Sequence, residues 1–290
     1  MRKFAVCIAI LGCVAASAKE VPLADCSGLP CANFDLGGGK SATLMIDTGN
    51  NHGVLDAETA KSLGLELKPY ISRSGKAVDG VFTATLSDLK LGGQSLGETM
   101  LLVMDIKKDI TEGSMPKSDG TISYTSFKDR VLTLDYSRHT LSFTDVGTPV
   151  ASPAGNGDLT YPTFGQKGPP IVVASGFSVN GKPVSVQIDT LYSGSMLIYT
   201  ASVDKLGLAN EAASKMTRRF PFTDGGVGMI EGKATQEAFA GKTLLSSAEL
   251  YFPTPDVHQP DGLFDGTVGQ ELFAKHRLTL DFHANKVWLD

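Results

Sequence analysis

Two short apolar runs each end in an aspartate followed by a threonine, and these side chains could do acid–base chemistry. Asp47, Thr48 and Gly49 follow the first run, and Asp189 and Thr190 follow the second. A single Asp-Thr-Gly has a simpler interpretation as a β-turn, because its three residue types are common in turns. The second copy of the surroundings favours a tandem duplication that supplies one acid from each half.

Two carboxyl groups brought face to face cannot both ionise freely, so they share one proton. One carboxylate then acts as a base on water, while the protonated partner donates to a substrate carbonyl. This chemistry hydrolyses an amide without a metal or cofactor. We expect the hydroxyls of Thr48 and Thr190 to bond across to the opposite loop, and Gly49 to allow a tight turn beneath the carboxylate.

The sequence predicts a β-hairpin before each acid. In residues 33–47 the pattern indicates a strand, a glycine turn at 37–39 and a second strand. Residues 171–189 repeat this order around Asn180-Gly181, a strong two-residue hairpin signal. Gly39 and Gly181 stand 142 positions apart, as do the two acids, so one register fits both hairpins.

The segments that follow also repeat. Short helices are predicted at 56–65 and 200–208, each ending in Leu-Gly-Leu. Glycine-bearing apolar segments follow at 80–84 and 224–230. Two interpretations of these tips stay open, an exposed β-turn and a mobile flap over a cleft.

A further repeat lies near the end of each half, where Asp119-Gly120-Thr121 and Asp265-Gly266-Thr267 lead to Leu-Thr-Leu-Asp-aromatic strands. Asp119 and Asp265 stand 146 positions apart, as do Asp135 and Asp281. We interpret Asp135 and Asp281, which end those strands, as structural turn residues.

The chain divides into four predicted regions. Residues 1–18 resemble a signal peptide, because a basic start precedes an apolar stretch and a small-x-small motif ending at Ala18. An alternative is a lipoprotein signal in which Cys13 carries the lipid. Residues 19–146 and 171–290 form the two lobes, and the Pro- and Gly-rich residues 147–170 form a linker. We therefore predict a periplasmic or secreted protein.

Cleavage after Ala18 would leave two cysteines, Cys26 and Cys31, and their spacing predicts a small clamping disulfide in an oxidising compartment. The five histidines have no ligand spacing, so we predict no metal site.

The composition limits the classes of molecule that this chain is expected to bind. The chain has 290 residues, of which 42% are hydrophobic and 20% charged, with a net charge of −5 and no long run of like charges. This balance argues against nucleic acid and favours a peptide or protein substrate. After the N-terminal segment no stretch is apolar enough to span a membrane, and the two-lobe plan predicts a monomer.

These motifs resemble the pepsin–retropepsin aspartic proteases, specifically bacterial secreted retropepsin-like proteins with two fused lobes. The resemblance covers nearly all of the chain after residue 18. It implies an all-β, two-lobed acid-protease β-barrel fold, with Asp47 and Asp189 as catalytic acids, Thr48 and Thr190 as cross-braces, and flaps near Gly80 and Gly226.

Three positions depart from the family pattern. Leu191 stands where the second motif has glycine, Ser123 stands where the first hydrophobic-hydrophobic-Gly turn has glycine, and Asn50 replaces a small residue. Two hypotheses follow. The chain is an aspartic endopeptidase, or it is a catalytically impaired relative that binds peptides or acts as a scaffold.

Overall fold

Each of the two acids follows a β-hairpin whose turn residues have the positive φ angles that a tight hairpin turn needs. In this computed structural model the first hairpin pairs Leu29–Gly37 with Lys40–Asp47, and Gly38 and Gly39 both have positive φ. The second hairpin turns at Asn180 and Gly181, with φ of 48° and 77°. Two consecutive positive φ values are typical of the tight turns whose twist matches a hairpin.

The structure describes residues 19–106, 118–150, 155–163, 168–213, 217–220, 227–234, 236–255, 257, 259–260 and 262–290. The strands of the first half are β1 (Val21–Pro22), β2 (Ala24–Cys26), β3 (Leu29–Gly37), β4 (Lys40–Asp47), β5 (Gly53–Asp56), β6 (Lys68–Ile71), β7 (Ala77–Leu91), β8 (Gln94–Met104), β9 (Gly120–Ser123), β10 (Val131–Asp135) and β11 (Thr140–Phe143). The helices of this half are α1 (Ala57–Ser62) and a 3-10 helix, Tyr124–Phe127.

The strands of the second half are β12 (Gly157–Thr160), β13 (Val173–Val179), β14 (Lys182–Ile188), β15 (Met196–Ile198), β16 (Thr217–Phe220), β17 (Val227–Lys233), β18 (Gln236–Phe239), β19 (Lys242–Ser246), β20 (Glu249–Pro253), β21 (Gly266–Val268), β22 (Arg277–Asp281) and β23 (Lys286–Leu289). Its helices are α2 (Thr200–Leu206), α3 (Ala209–Ala212) and α4 (Gln270–Phe273).

The first lobe is an eight-stranded sheet in the order β2-β3-β4-β9-β5-β8-β7-β6, and an additional β3–β7 pairing curls it towards a barrel. In the second lobe, β13 and β14 continue into β21, β15, β20, β17 and β16. Each acid-bearing strand has a parallel neighbour, because β4 pairs with β9 and β14 pairs with β21. The lobes therefore repeat the same local arrangement around each acid.

A shared sheet joins the lobes, in the order β1-β11-β10-β22-β23-β12. At its centre β10 and β22 run antiparallel with Thr133 opposite Thr279, so the repeated Leu-Thr-Leu segments pair with each other about a pseudo-twofold axis. Buried apolar side chains from both halves form one contiguous cluster. The two-lobed, mainly β architecture predicted from the sequence is confirmed.

Two details differ from the predictions. The region expected to be a linker contains β12, which pairs with both β13 and β23, so part of it belongs to the sheets. The hairpin expected to turn near Gly80 turns instead at Ser72–Lys76, where Ser72 and Lys76 bond to each other and Gly75 has a φ of 78°. Gly80 has a positive φ inside β7 and marks an irregularity of that strand.

Candidate active site

The two acids lie at the ends of equivalent strands, one from each lobe. We call residues 47–52 the first acid loop and residues 189–195 the second acid loop. Asp47 is the last residue of β4 and pairs in register with Ser123. Asp189 follows β14, and its N–H donates to the carbonyl of Val268 at 3.1 Å. Parallel neighbours thus hold both acids at equivalent points.

The threonines tie one acid loop to the other. The hydroxyl of Thr48 donates to the carbonyl of Ile188 at 2.8 Å, and the hydroxyl of Thr190 donates to the carbonyl of Ile46 at 2.5 Å. Each threonine also donates its backbone N–H to the hydroxyl of the other, at 3.1 and 3.2 Å. Both side chains are fully buried. Four reciprocal bonds therefore fix the spacing of the loops.

Both carboxylates accept backbone N–H groups from their own loops. Asp47 accepts from Gly49 and Asn50. Oδ1 of Asp189 accepts from Leu191 at 2.9 Å and from Tyr192 at 3.1 Å. The donors in the second loop stand 142 positions after those in the first, so the hydrogen bonding of the acids follows the repeat despite Leu191.

Burial raises the pKa values of both acids. Burial, and secondly the negative charge of Asp189, raise the pKa of Asp47 to about 7. Burial also raises the pKa of Asp189, against the two N–H donors of its loop. Two neighbouring acids with raised pKa values retain a proton at pH values where isolated carboxyls are ionised.

Gly49 makes room for the opposite acid. A β-carbon on Gly49 would overlap Cγ of Asp189 and lie 2.7 Å from its Oδ2. The backbone of Gly49 is not left-handed, so the glycine is required by space and not by the turn conformation that the sequence suggested. The carboxylate of Asp189 thus lies against the first acid loop.

Two glutamine side chains that no sequence motif marks support the acid loops. Nε2 of Gln187 donates to the carbonyl of Gly49 at 2.7 Å. Nε2 of Gln270 donates to the carbonyl of Thr190 and lies 3.4 Å from the hydroxyl of Tyr136. The sequence carries no signal for Gln187, because it alternates with the buried Val186 and Ile188 and lies on the less buried face of β14, where a polar residue is ordinary.

Comparisons with known proteins concern the first lobe and the overall fold. Residues 32–125, about a third of the chain, match the model of a family described as Aspartyl protease. The aspartic proteinase from Irpex lacteus is similar in structure, with a TM-score of 0.52 and 14% identity, over 94% of this chain and 97% of that chain. At this identity the likeness concerns the fold. No curated protein matches the chain.

This fold gives the side chain of Leu191 an apolar contact of its own. Leu191 packs against a small buried cluster formed by Cys26, Cys31 and Met45. Its φ is not positive, so a leucine adopts this backbone without strain. The β-carbon that Gly49 cannot carry is therefore tolerated at the equivalent position of the second loop.

Ser123 is accommodated for a related reason. Its counterpart Gly269 has no space for a side chain, because a β-carbon there would overlap the carbonyl oxygen of Tyr192 and lie 2.7 Å from the ring. Ser123 is fully buried, and its hydroxyl lies 2.5 Å from that of Thr125 and accepts the N–H of Thr125 at 3.3 Å. It caps the short helix that begins at Tyr124.

The other predicted residues are placed as follows. The Cys26–Cys31 disulfide is present. Asp135 accepts the N–H of Arg138 at 2.9 Å, and Asp281 accepts the N–H of Ala284 at 2.7 Å, so both close turns. Residues 1–18 and Gly226, on which the export signal and the second flap depend, lie outside the described residues. Within the described chain, no helix is long and apolar enough to cross a membrane.

Proposed function

We propose that the chain is an aspartic endopeptidase that hydrolyses peptide bonds with Asp47, Asp189 and one water molecule. The observation that carries the proposal is the pairing of two acids with raised pKa values on loops joined by reciprocal threonine bonds. Such a pair supplies a base and an acid within one site.

The reaction needs one proton on the pair. The ionised carboxylate takes a proton from water as its oxygen attacks the carbonyl carbon of the peptide, and the protonated carboxyl gives its proton to the carbonyl oxygen. The C–N bond of the tetrahedral diol then breaks as the pair gives a proton to the nitrogen and takes one from a diol hydroxyl. The amine and the carboxylic acid leave, and the pair again holds one proton. Neither a metal nor a covalent enzyme intermediate enters this sequence.

A substitution of one acid tests the proposal. We expect Asp47→Asn to lower kcat for a peptide by at least about 10³-fold, because an amide neither shares the proton nor acts as base. Thermal unfolding should stay cooperative. Asp204→Asn, an exposed aspartate on α2, is the matched control and should keep wild-type turnover. Unchanged cleavage by the Asp47 variant would exclude the dyad.

The pH profile is a second test. Because the pKa of Asp47 is raised to about 7 and that of Asp189 is raised as well, the pair keeps a proton up to about pH 7 and loses it on the alkaline side. We therefore expect kcat/KM to fall about tenfold per pH unit above that value. A profile that rises through pH 7–9 would contradict the assignment.

The competing hypothesis is a peptide-binding protein that does not cleave. It was motivated by Leu191, whose amide nevertheless donates to Asp189. If wild type leaves a broad peptide library intact at pH 3–7 but binds members of it, this hypothesis replaces the first.

We further propose that the protein works outside the cytoplasm. The buried Cys26–Cys31 disulfide supports this, since disulfides persist in oxidising compartments. Fractionation of cells that produce the full chain, followed by N-terminal sequencing, tests both export and cleavage after Ala18.

A further inference from the structure

The two halves differ at one symmetric pair of contacts between the lobes. Gln187 and Met45 stand two positions before their acids, and Gly49 and Leu191 stand two positions after them. In one contact, the amide of Gln187 donates to the carbonyl of Gly49. In the other, Leu191 packs against the cluster that contains Met45. The polar contact between Gln187 and Gly49 therefore has, as its symmetry equivalent, the apolar contact between Met45 and Leu191.

The apolar contact rests on the disulfide. Met45 on β4 lies directly opposite Cys31 on β3, and Cys26, Cys31 and Met45 are at most 2% exposed. Leu29 and Leu191 pack on this platform, and of the two only Leu191 comes from the second lobe. The N-terminal disulfide hairpin is therefore in contact with the loop that carries the second acid.

Leu191 connects that platform to the acid through its own backbone. Its N–H donates to Oδ1 of Asp189 at 2.9 Å, and the N–H of the next residue, Tyr192, donates to the same oxygen. A side chain anchored in one lobe restricts the peptide groups on either side of it. A glycine at this position would leave those donors without the anchor and with more backbone freedom.

We propose that Leu191 is a positioning residue that docks on the Cys26–Cys31 and Met45 platform of the opposite lobe and thereby holds the amide donors on Asp189. The inference rests on the proposed endopeptidase function and extends it. The disulfide then supports the active site as well as the N-terminal hairpin. The leucine is the second loop's own means of fixing its acid, where the first loop uses a glycine and the amide of Gln187.

A matched pair of substitutions separates positioning from general packing. Leu191→Ala and Leu29→Ala remove the same side chain from the same platform, but only the first touches an acid loop. We expect Leu191→Ala to lower kcat for a cleaved peptide about 10–100-fold with KM within about threefold, because small misplacements of reacting groups are costly. Leu29→Ala should keep wild-type kcat. Leu191→Met should restore most of the turnover, since methionine fills a similar volume.

A double-mutant cycle tests whether the disulfide and Leu191 act on kcat through the same contact. Replacing both cysteines by alanine should lower kcat by a similar factor, and combining this change with Leu191→Ala should add little, because both remove one contact. Equal kcat losses for Leu29→Ala and Leu191→Ala, or losses that multiply in the combined variant, would overturn the proposal. Thermal unfolding of each variant checks that it is folded.

A readout that does not need turnover keeps this test separate from the proposed function. Carbon-13 NMR of labelled aspartates follows the titration of the acid pair, with the Asp47 signal assigned from Asp47→Asn. Since the N–H donors lower the pKa of Asp189, Leu191→Ala should raise the apparent pKa of the pair, and Leu191→Met and Leu29→Ala should not. An unchanged titration in Leu191→Ala would refute the positioning role. A wild type that cleaves no peptide but shows the expected titration would refute only the endopeptidase function.

Discussion

Glu237 is a buried carboxyl group in contact with the second acid loop. It has no exposed surface, its Oε1 lies 3.3 Å from the hydroxyl of Ser195, and within the described structure its Oε2 has no hydrogen-bond partner. Burial raises the pKa of Glu237 to about 8, and the negative charge of Glu271 acts in the same direction. A neutral carboxylic acid therefore packs beneath the site at neutral pH.

This residue should make the protein most stable in acid. Because the native pKa of about 8 exceeds the usual 4.5, the native state binds more protons between these values, and the free energy of unfolding falls as pH rises through that window. Below about pH 4.5 the residue contributes no pH dependence. The full loss is on the order of 3–5 kcal/mol.

We expect Glu237→Gln to remove much of that decline, because the amide cannot ionise. Urea unfolding at pH 4.5, 6 and 8 measures it, and the exposed Glu66→Gln is the control that should retain the wild-type slope. Parallel pH dependences for wild type and the Glu237 variant would contradict the assignment. The raised pKa of Asp47 adds a smaller decline in the same direction up to about pH 7.

At the scale of elements, two equivalent turns should respond differently to the same side chain. Gly269→Ala would drive a β-carbon into the carbonyl of Tyr192 and push the second acid loop. We expect a loss of at least about 2 kcal/mol of stability and a clear fall in kcat. At the counterpart, Ser123→Ala removes only the helix cap and should cost about 1 kcal/mol with activity retained. Equal effects at the two positions, measured by unfolding and peptide cleavage, would show that the turns are interchangeable.

The sequence could predict the elements that repeat. A constant offset of 142 placed both hairpins. The repeat at 119–123 and 265–269 was also recognised, but it was interpreted as a turn, whereas it contains the parallel neighbours of the acid-bearing strands. The threonine bonds are also of the predicted kind, because a twofold relation brings each hydroxyl to the opposite loop.

The other features of the site depend on contacts between side chains and residues that are distant in sequence, and no local sequence pattern predicts such contacts. The amides of Gln187 and Gln270 find carbonyls more than 70 residues away in sequence. Leu191 departs from the family pattern in sequence, and only the structure shows that its side chain packs on the disulfide. The turn at Ser72–Lys76 was missed because Gly80 was taken as the glycine of the hairpin turn. Gly80 instead lies inside β7, where its positive φ marks an irregularity of the strand.

At the scale of the whole molecule, the lobes meet through β10 and β22. Leu134 from the first lobe lies opposite Leu278 from the second, and both are fully buried. The apolar cluster on either side of this pair is continuous. Loss of packing here weakens the junction that holds the acid loops at one spacing.

We expect Leu134→Ala and Leu278→Ala each to cost about 2–5 kcal/mol, because each leaves a cavity in the shared core. Since the sheet belongs to both lobes, calorimetry should show one transition, lowered by about 5–15 °C in either variant. The double variant should lose less than the sum, because the two leucines face each other. Leu67→Ala, at a side chain that is 37% exposed, is the control and should shift the transition little. Two transitions, of which each variant moves a different one, would show that the lobes unfold independently and that the contacts between the acid loops, and not the shared sheet, hold the acid spacing.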